Sequence, residues 1–149
     1  MTNLQAAVGL AQAERLERFI NIKVRLGEYY REKIADIKGV RFMPIKNYAK
    51  SVYWMYSIEL SPAINVTGEE MMRRLRNHKI GTRPFFRGLH DQPVLQDMGL
   101  FNGEKYPKTD YAYRYGLYLP SGLTLTEKDI DYVVSNLEKE IPRGDDYFF

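Results

Sequence analysis

A helical repeat opens this chain and sets the terms for the rest of it. Apolar residues recur at Leu4, Val8 and Ala11, then at Leu16, Phe19, Ile22, Leu26, Tyr30, Ile34 and Ile37. That three-and-four spacing is one face of a helix. Thr2 stands at the N-cap position, and Gln5, three residues on, completes a capping box. No proline interrupts, and Gly39 stands where a C-cap is expected. The pattern predicts one long helix, straight or bent, over residues 3–37. An apolar stripe of that length needs a second layer to lie on.

The remaining sequence supplies that layer. Val40–Phe42 reads as a short strand stopped by Pro44, and residues 46–50 as a polar loop. Residues 51–60 alternate, with Val52, Trp54, Tyr56 and Ile58 on one face and Tyr53, Met55, Ser57 and Glu59 on the other; this predicts a strand. Thr67 with Glu70 opens a helix to about Lys79. Residues 81–86 read as a strand leading into a loop, 93–97 as a helical turn and 99–107 as loop. Residues 108–115 suggest a short helix, and Gly116–Leu119 a short strand. Thr126 with Asp129 caps a last helix bearing Ile130, Val133, Val134, Leu137 and Ile141, stopped by Pro142. Helices alternating with a few strands predict an α/β fold, a small sheet covered by helices. The expected organisation is a single domain over residues 1–141. It comprises the long helix (1–38), a small domain (40–141) and a tail (142–149) with apolar Tyr147, Phe148 and Phe149.

Composition narrows the class. The 149 residues include no cysteine, which removes disulfides, thiolate metal sites and a cysteine nucleophile. Nothing approaches the roughly 18 apolar residues of a membrane span, and no signal peptide is seen at Met1. The net charge of +3 comes from 22 basic against 19 acidic residues, with the two signs interspersed. The densest basic run, Arg73, Arg74 and Arg76, follows Glu69 and Glu70, an order that suits a solvated helix. Neither nucleic acid nor membrane is expected as a partner, and the expected compartment is the cytoplasm.

Few residues are candidates for chemistry. Only two histidines occur. His78 falls near a helix end, an ordinary surface position. His90 follows the 81–86 strand across a glycine turn, where loops commonly present binding groups. Arg83, in a short apolar strand, needs either an acidic partner or a ligand anion. No metal-ligand spacing, glycine-rich phosphate loop or nucleophile elbow is present. The many aromatic residues fall mostly on core-spaced positions, although Tyr111, Tyr113, Tyr115 and Tyr118 are dense enough to include a partner-facing edge.

Five motifs in order resemble the C-terminal part of one enzyme family. They are Met1–Gln12; residues 52–57 (Val-Tyr-Trp-Met-Tyr-Ser); Thr82-Arg83-Pro84 with Phe86 and His90; Pro93; and residues 117–121 followed by Leu123, Thr124, Thr126 and Glu127. The chain resembles, from Met1 to about Ile141, the DegT/DnrJ/EryC1/StrS family of pyridoxal-phosphate (PLP) sugar aminotransferases, and within it the perosamine synthases. The resemblance implies the small domain of a fold type I aminotransferase. It implies amino transfer from glutamate to a nucleotide-linked 4-keto-6-deoxy sugar, with PLP as electron sink. It also places the Schiff-base lysine upstream of Met1. The chain is therefore expected to be a C-terminal portion, inactive alone, with no catalytic residue, no metal and no PLP of its own. Its expected partners are an N-terminal large domain or further copies of itself, with the nucleotide sugar as substrate of the intact enzyme. Arg83, Phe85 and His90 transfer as substrate-binding residues, with Arg83 and His90 facing one concave surface. A PLP-dependent sugar dehydratase and a non-catalytic dimerisation or sugar-nucleotide-binding module are the alternatives.

Overall fold

A computed structural model describes residues 1–142 and 147. Phe148, Phe149 and most of the expected tail lie outside the described residues. The elements in chain order are α1 (Asn3–Ala13), α2 (Leu16–Ile34), β1 (Val40–Phe42), β2 (Tyr56–Leu60), α3 (Gly68–Asn77), β3 (Arg83–Pro84), α4 (Pro93–Asp97), α5 (Pro107–Tyr115), β4 (Gly116–Leu119) and α6 (Glu127–Glu140). The architecture is α/β, as the sequence implies. The four strands form one antiparallel sheet in the order β1-β2-β4-β3.

Strand pairing sorts the side chains by face. Val40 lies opposite Leu60, and Ile58 opposite Leu117. With Tyr56 and Leu119 these residues are buried on one side of the sheet. Leu26, Tyr30 and Ile34 of α2, Met71 and Leu75 of α3, and Ile130, Val133, Val134 and Leu137 of α6 complete that core. Each fully buried Leu or Ile contributes about 1.5–3 kcal/mol relative to exposure. The opposite face carries Arg41, Ser57, Glu59, Tyr118 and Arg83. Glu59 is buried there in an ion pair with Arg41, and Tyr111 of α5 donates to the Leu60 carbonyl at 3.3 Å.

Three expectations are corrected. The long helix is two. Arg15, with φ −109° and ψ 3°, leaves helical geometry between α1 and α2. Ala13, Glu14 and Arg15 are sound helix formers, and nothing in the structure explains the break. The capping box of Thr2 and Gln5 is present, yet α1 buries none of its residues. The strand expected over 51–60 begins only at Tyr56. Tyr53 takes φ 47°, its ring packs against Gly27 of α2 and its hydroxyl bonds Glu28. That inward turn takes 51–55 out of the ladder and leaves Val52 and Trp54 exposed. The strand expected over 81–86 shrinks to Arg83–Pro84, because Pro84 has no N–H and the strand lies at the sheet edge.

Candidate functional site

The connection after β3 builds a cleft with α5. Leu89–Asp91 form a single 3-10 turn, and Pro107 starts α5, placing Asp110 in its first turn. His90 Nε2 and Asp110 Oδ1 meet at 2.7 Å. The Tyr106 ring lies 4.8 Å from the imidazole, and the Gln96 side-chain amide donates to the His90 carbonyl at 3.0 Å. Gly88 makes the arrangement fit: a Cβ there would collide with the His90 ring and approach Thr109 Cγ2 to 2.9 Å. Beside it Arg87 Nε donates to Asp91 Oδ2 at 2.5 Å. This hydrogen bond holds the Asp91 carboxyl below the usual carboxylate range and raises Arg87. The resulting open cleft, of about 830 Å³, is lined by residues including Glu69, Pro84, His90, Asp91, Asp110 and Arg114.

The other two candidate residues lie elsewhere. Arg83 is exposed, is registered opposite Tyr118 of β4 and is not among the residues lining the cleft. A two-residue edge strand does not bury it, so it needs no acidic partner to be tolerated. Phe85 stacks on Tyr118, with ring centroids 4.9 Å apart and planes 15° from parallel. A Cβ at Gly116 would run into the Phe85 ring at 2.5 Å, so that glycine opens the space Phe85 fills. His78 bonds Glu140 Oε1 at 2.7 Å, joining the ends of α3 and α6. Sequence reasoning missed Asp110 and Glu69. Both come from segments distant in sequence, and only the Pro107 helix start signals either one.

PLP, implied by the resemblance, needs a lysine amine for its Schiff base and a carboxylate at its ring nitrogen. Nine of the ten lysines are exposed. The tenth, Lys23, is half-buried, and burial lowers its pKa. Its ammonium donates to the carbonyls of Ser121 at 2.7 Å and Trp54 at 3.1 Å, and lies 4.4 Å from the Tyr56 ring centre. Among the described residues, no carboxylate lines the hollow around Lys23. Among the described residues, the lysine and carboxylate pair that PLP requires is not assembled.

Comparison with known proteins places the fold. A profile of the DegT/DnrJ/EryC1/StrS aminotransferase family matches residues 1–138. The GDP-perosamine synthase of Caulobacter vibrioides is 30% identical over 93% of this chain, a stretch that is 37% of that protein. The chain thus spans a little over a third of the length of that relative. A sugar aminotransferase of Streptococcus pneumoniae superimposes with a TM-score of 0.79 over 93% of this chain and 35% of its own, at 18% identity. The Escherichia coli GDP-4-keto-6-deoxy-D-mannose-3-dehydratase does so with a TM-score of 0.72 over 88% of this chain and 34% of its own, at 20% identity. The small antiparallel sheet with its helices therefore matches about a third of each of these enzymes, and the chain belongs to the DegT/DnrJ/EryC1/StrS aminotransferase family.

Proposed function

We propose that this chain is the small-domain portion of a nucleotide-sugar aminotransferase of the perosamine synthase kind. The intact enzyme would move an amino group from glutamate to the keto carbon of a 4-keto-6-deoxy sugar nucleotide. The observation that carries this reading is the extent of the match to the perosamine synthase, which spans nearly all of this chain and about a third of the relative. The engagement of Lys23 with two carbonyls supports the view that the Schiff-base lysine and PLP belong to a large domain outside this sequence. In that setting Arg83 of β3 and Phe85 just after it would meet the substrate from the sheet edge, and His90, held by Asp110, from the cleft. A cytoplasmic homo-oligomer is the expected form.

The test joins this chain to the preceding part of the Caulobacter relative. With PLP, glutamate and a GDP-linked 4-keto-6-deoxy sugar, the chimera is expected to form the amino sugar, and this chain alone to form none. A folded, PLP-loaded chimera that makes no amino sugar would refute the reading. The fold is shared with a PLP dehydratase; the identity of the residue at the Schiff-base position upstream distinguishes that alternative.

A further inference from the structure

Two surface features at the N-terminal end of the fold lie outside the His90 cleft, and they match. The first is α1. It carries no charged side chain and buries none of its residues. Leu4 and Val8, both exposed, lie one turn apart on one face with Ala11. A helix of 11 residues is marginal in water by itself, so this apolar face calls for a cover.

The second feature is the hollow around Lys23, of about 520 Å³. Phe19 and Ile20 of α2, Val52, Trp54 and Met55 before β2, and Leu123 after β4 line it. Its walls are held. The Lys23 ammonium donates to the carbonyls of Trp54 and Ser121, tying both wall segments to α2. The Trp54 ring stacks on Phe86, with centroids 6.4 Å apart and planes 18° from parallel. Lys23 is the charged residue of the lining, and because its ammonium is already engaged, an apolar cover leaves no charge stranded.

The junction of α1 and α2 supplies the charge complementarity. Glu14, Arg15, Glu17 and Arg18 are all exposed, and none is in an ion pair among the described residues. An antiparallel crossing of two copies centred on Leu16 sets Glu14 of one opposite Arg18 of the other, and Arg15 opposite Glu17. Such rim pairs fix orientation more than affinity. The same register lays residues 8–13 of one α1 beside residues 19–24 of the other α2, the stretch that holds Phe19, Ile20 and Lys23. We propose that the hollow receives the apolar face of α1 from a second copy of this chain. The contact is reciprocal: each copy gives one helix and one hollow, and a two-fold axis closes the assembly at two. It stands independently of the proposed reaction.

Trp54 is the only tryptophan, so its emission reports whether the hollow is covered. Sedimentation of the full chain is expected to show a monomer–dimer equilibrium, with Trp54 emission shifting to the blue over the same concentration range. Val8→Glu and Leu123→Glu, at exposed positions on the two sides of the contact, should each weaken association by about tenfold or more with an unchanged circular dichroism spectrum. The chain has no cysteine, so Val8→Cys in one tagged copy and Leu123→Cys in another supply the only thiols. A short bis-maleimide should join unlike copies in preference to like ones. A monomer at every concentration up to millimolar would overturn the proposal and leave the α1 face to the large domain of the intact enzyme. A dimer whose Trp54 emission does not move, or one that neither glutamate weakens, would place the interface elsewhere and overturn it equally.

Discussion

His90 Nε2 lies 2.7 Å from Asp110 Oδ1, across 20 residues of sequence. The imidazole is well covered, with 14% of its side chain exposed, while Asp110 is 59% exposed. This one contact ties the loop after β3 to the first turn of α5 and sets the wall of the cleft.

Asp110→Ala is expected to destabilise the domain by about 1 kcal/mol, the usual worth of such a hydrogen bond. His90→Ala should cost more, because its ring also packs on Tyr106. Urea unfolding of both single variants and the double variant gives the coupling. Additive effects would mean that the two side chains do not act as a pair.

Gly27→Ala poses two opposing effects. Alanine in a helix interior gains roughly 1 kcal/mol of propensity over glycine. The new Cβ, however, meets the base of the Tyr53 ring, and Tyr53 is buried at 4% exposure. Overpacking of that kind costs about 1–3 kcal/mol. Net destabilisation in thermal unfolding is expected, and a rise in Tm would show that Tyr53 yields freely.

Leu26→Ala and Leu4→Ala test the division of the N-terminal helices. Leu26 of α2 is fully buried, and its truncation should cost about 2–5 kcal/mol. Leu4 of α1 is 76% exposed, and its truncation should change monomer stability by less than about 0.5 kcal/mol. Leu4, Val8 and Leu10 are also the residues expected to drive association of copies. Sedimentation should show self-association that weakens when the three are replaced by glutamate. Equal stability losses at Leu4 and Leu26 would contradict the structure's placement of α1.

Alkaline pH should unfold this domain. Burial pushes Tyr53 and Tyr56 up to about 12 and Tyr30 higher still. Between about pH 10, where an unfolded tyrosine ionises, and 12, the folded chain keeps protons that the unfolded chain loses. Stability contributed by these phenols is full below pH 10 and falls as pH rises through the folded values. Lys23, lowered by burial, works in the opposite sense, but it is one group against three. Urea midpoints should drop steadily above pH 10, less steeply in Tyr30→Phe. A flat profile to pH 12 would rule out the buried phenols as the cause.

Much of the fold is legible locally. Thr2, Thr67 and Thr126 cap their helices through bonds to residues three positions on. Pro107, Gly116 and Pro142 fall at or beside element ends. The alternation of Tyr56, Ile58 and Leu60 places all three in the core. Of the site, Arg83, Phe85 and His90 could be singled out as residues, but not arranged. Asp110 could not be matched to His90, nor Trp54 to Phe86, because each pair joins segments whose separation along the chain carries no periodic signal.

The sequence by itself determined the caps, the helix faces, the short strands and the family, since each depends on groups within a few residues or on motif order. Tertiary structure decided where periodic patterns stop being obeyed. Tyr53 abandons its strand because Gly27 leaves room for its ring. Arg83 stays in water because its strand is a two-residue edge. His90 and Arg83 part because one follows the loop to α5 while the other follows the register to Tyr118. Packing between distant segments weighs more, in each case, than the local preference that the sequence displays.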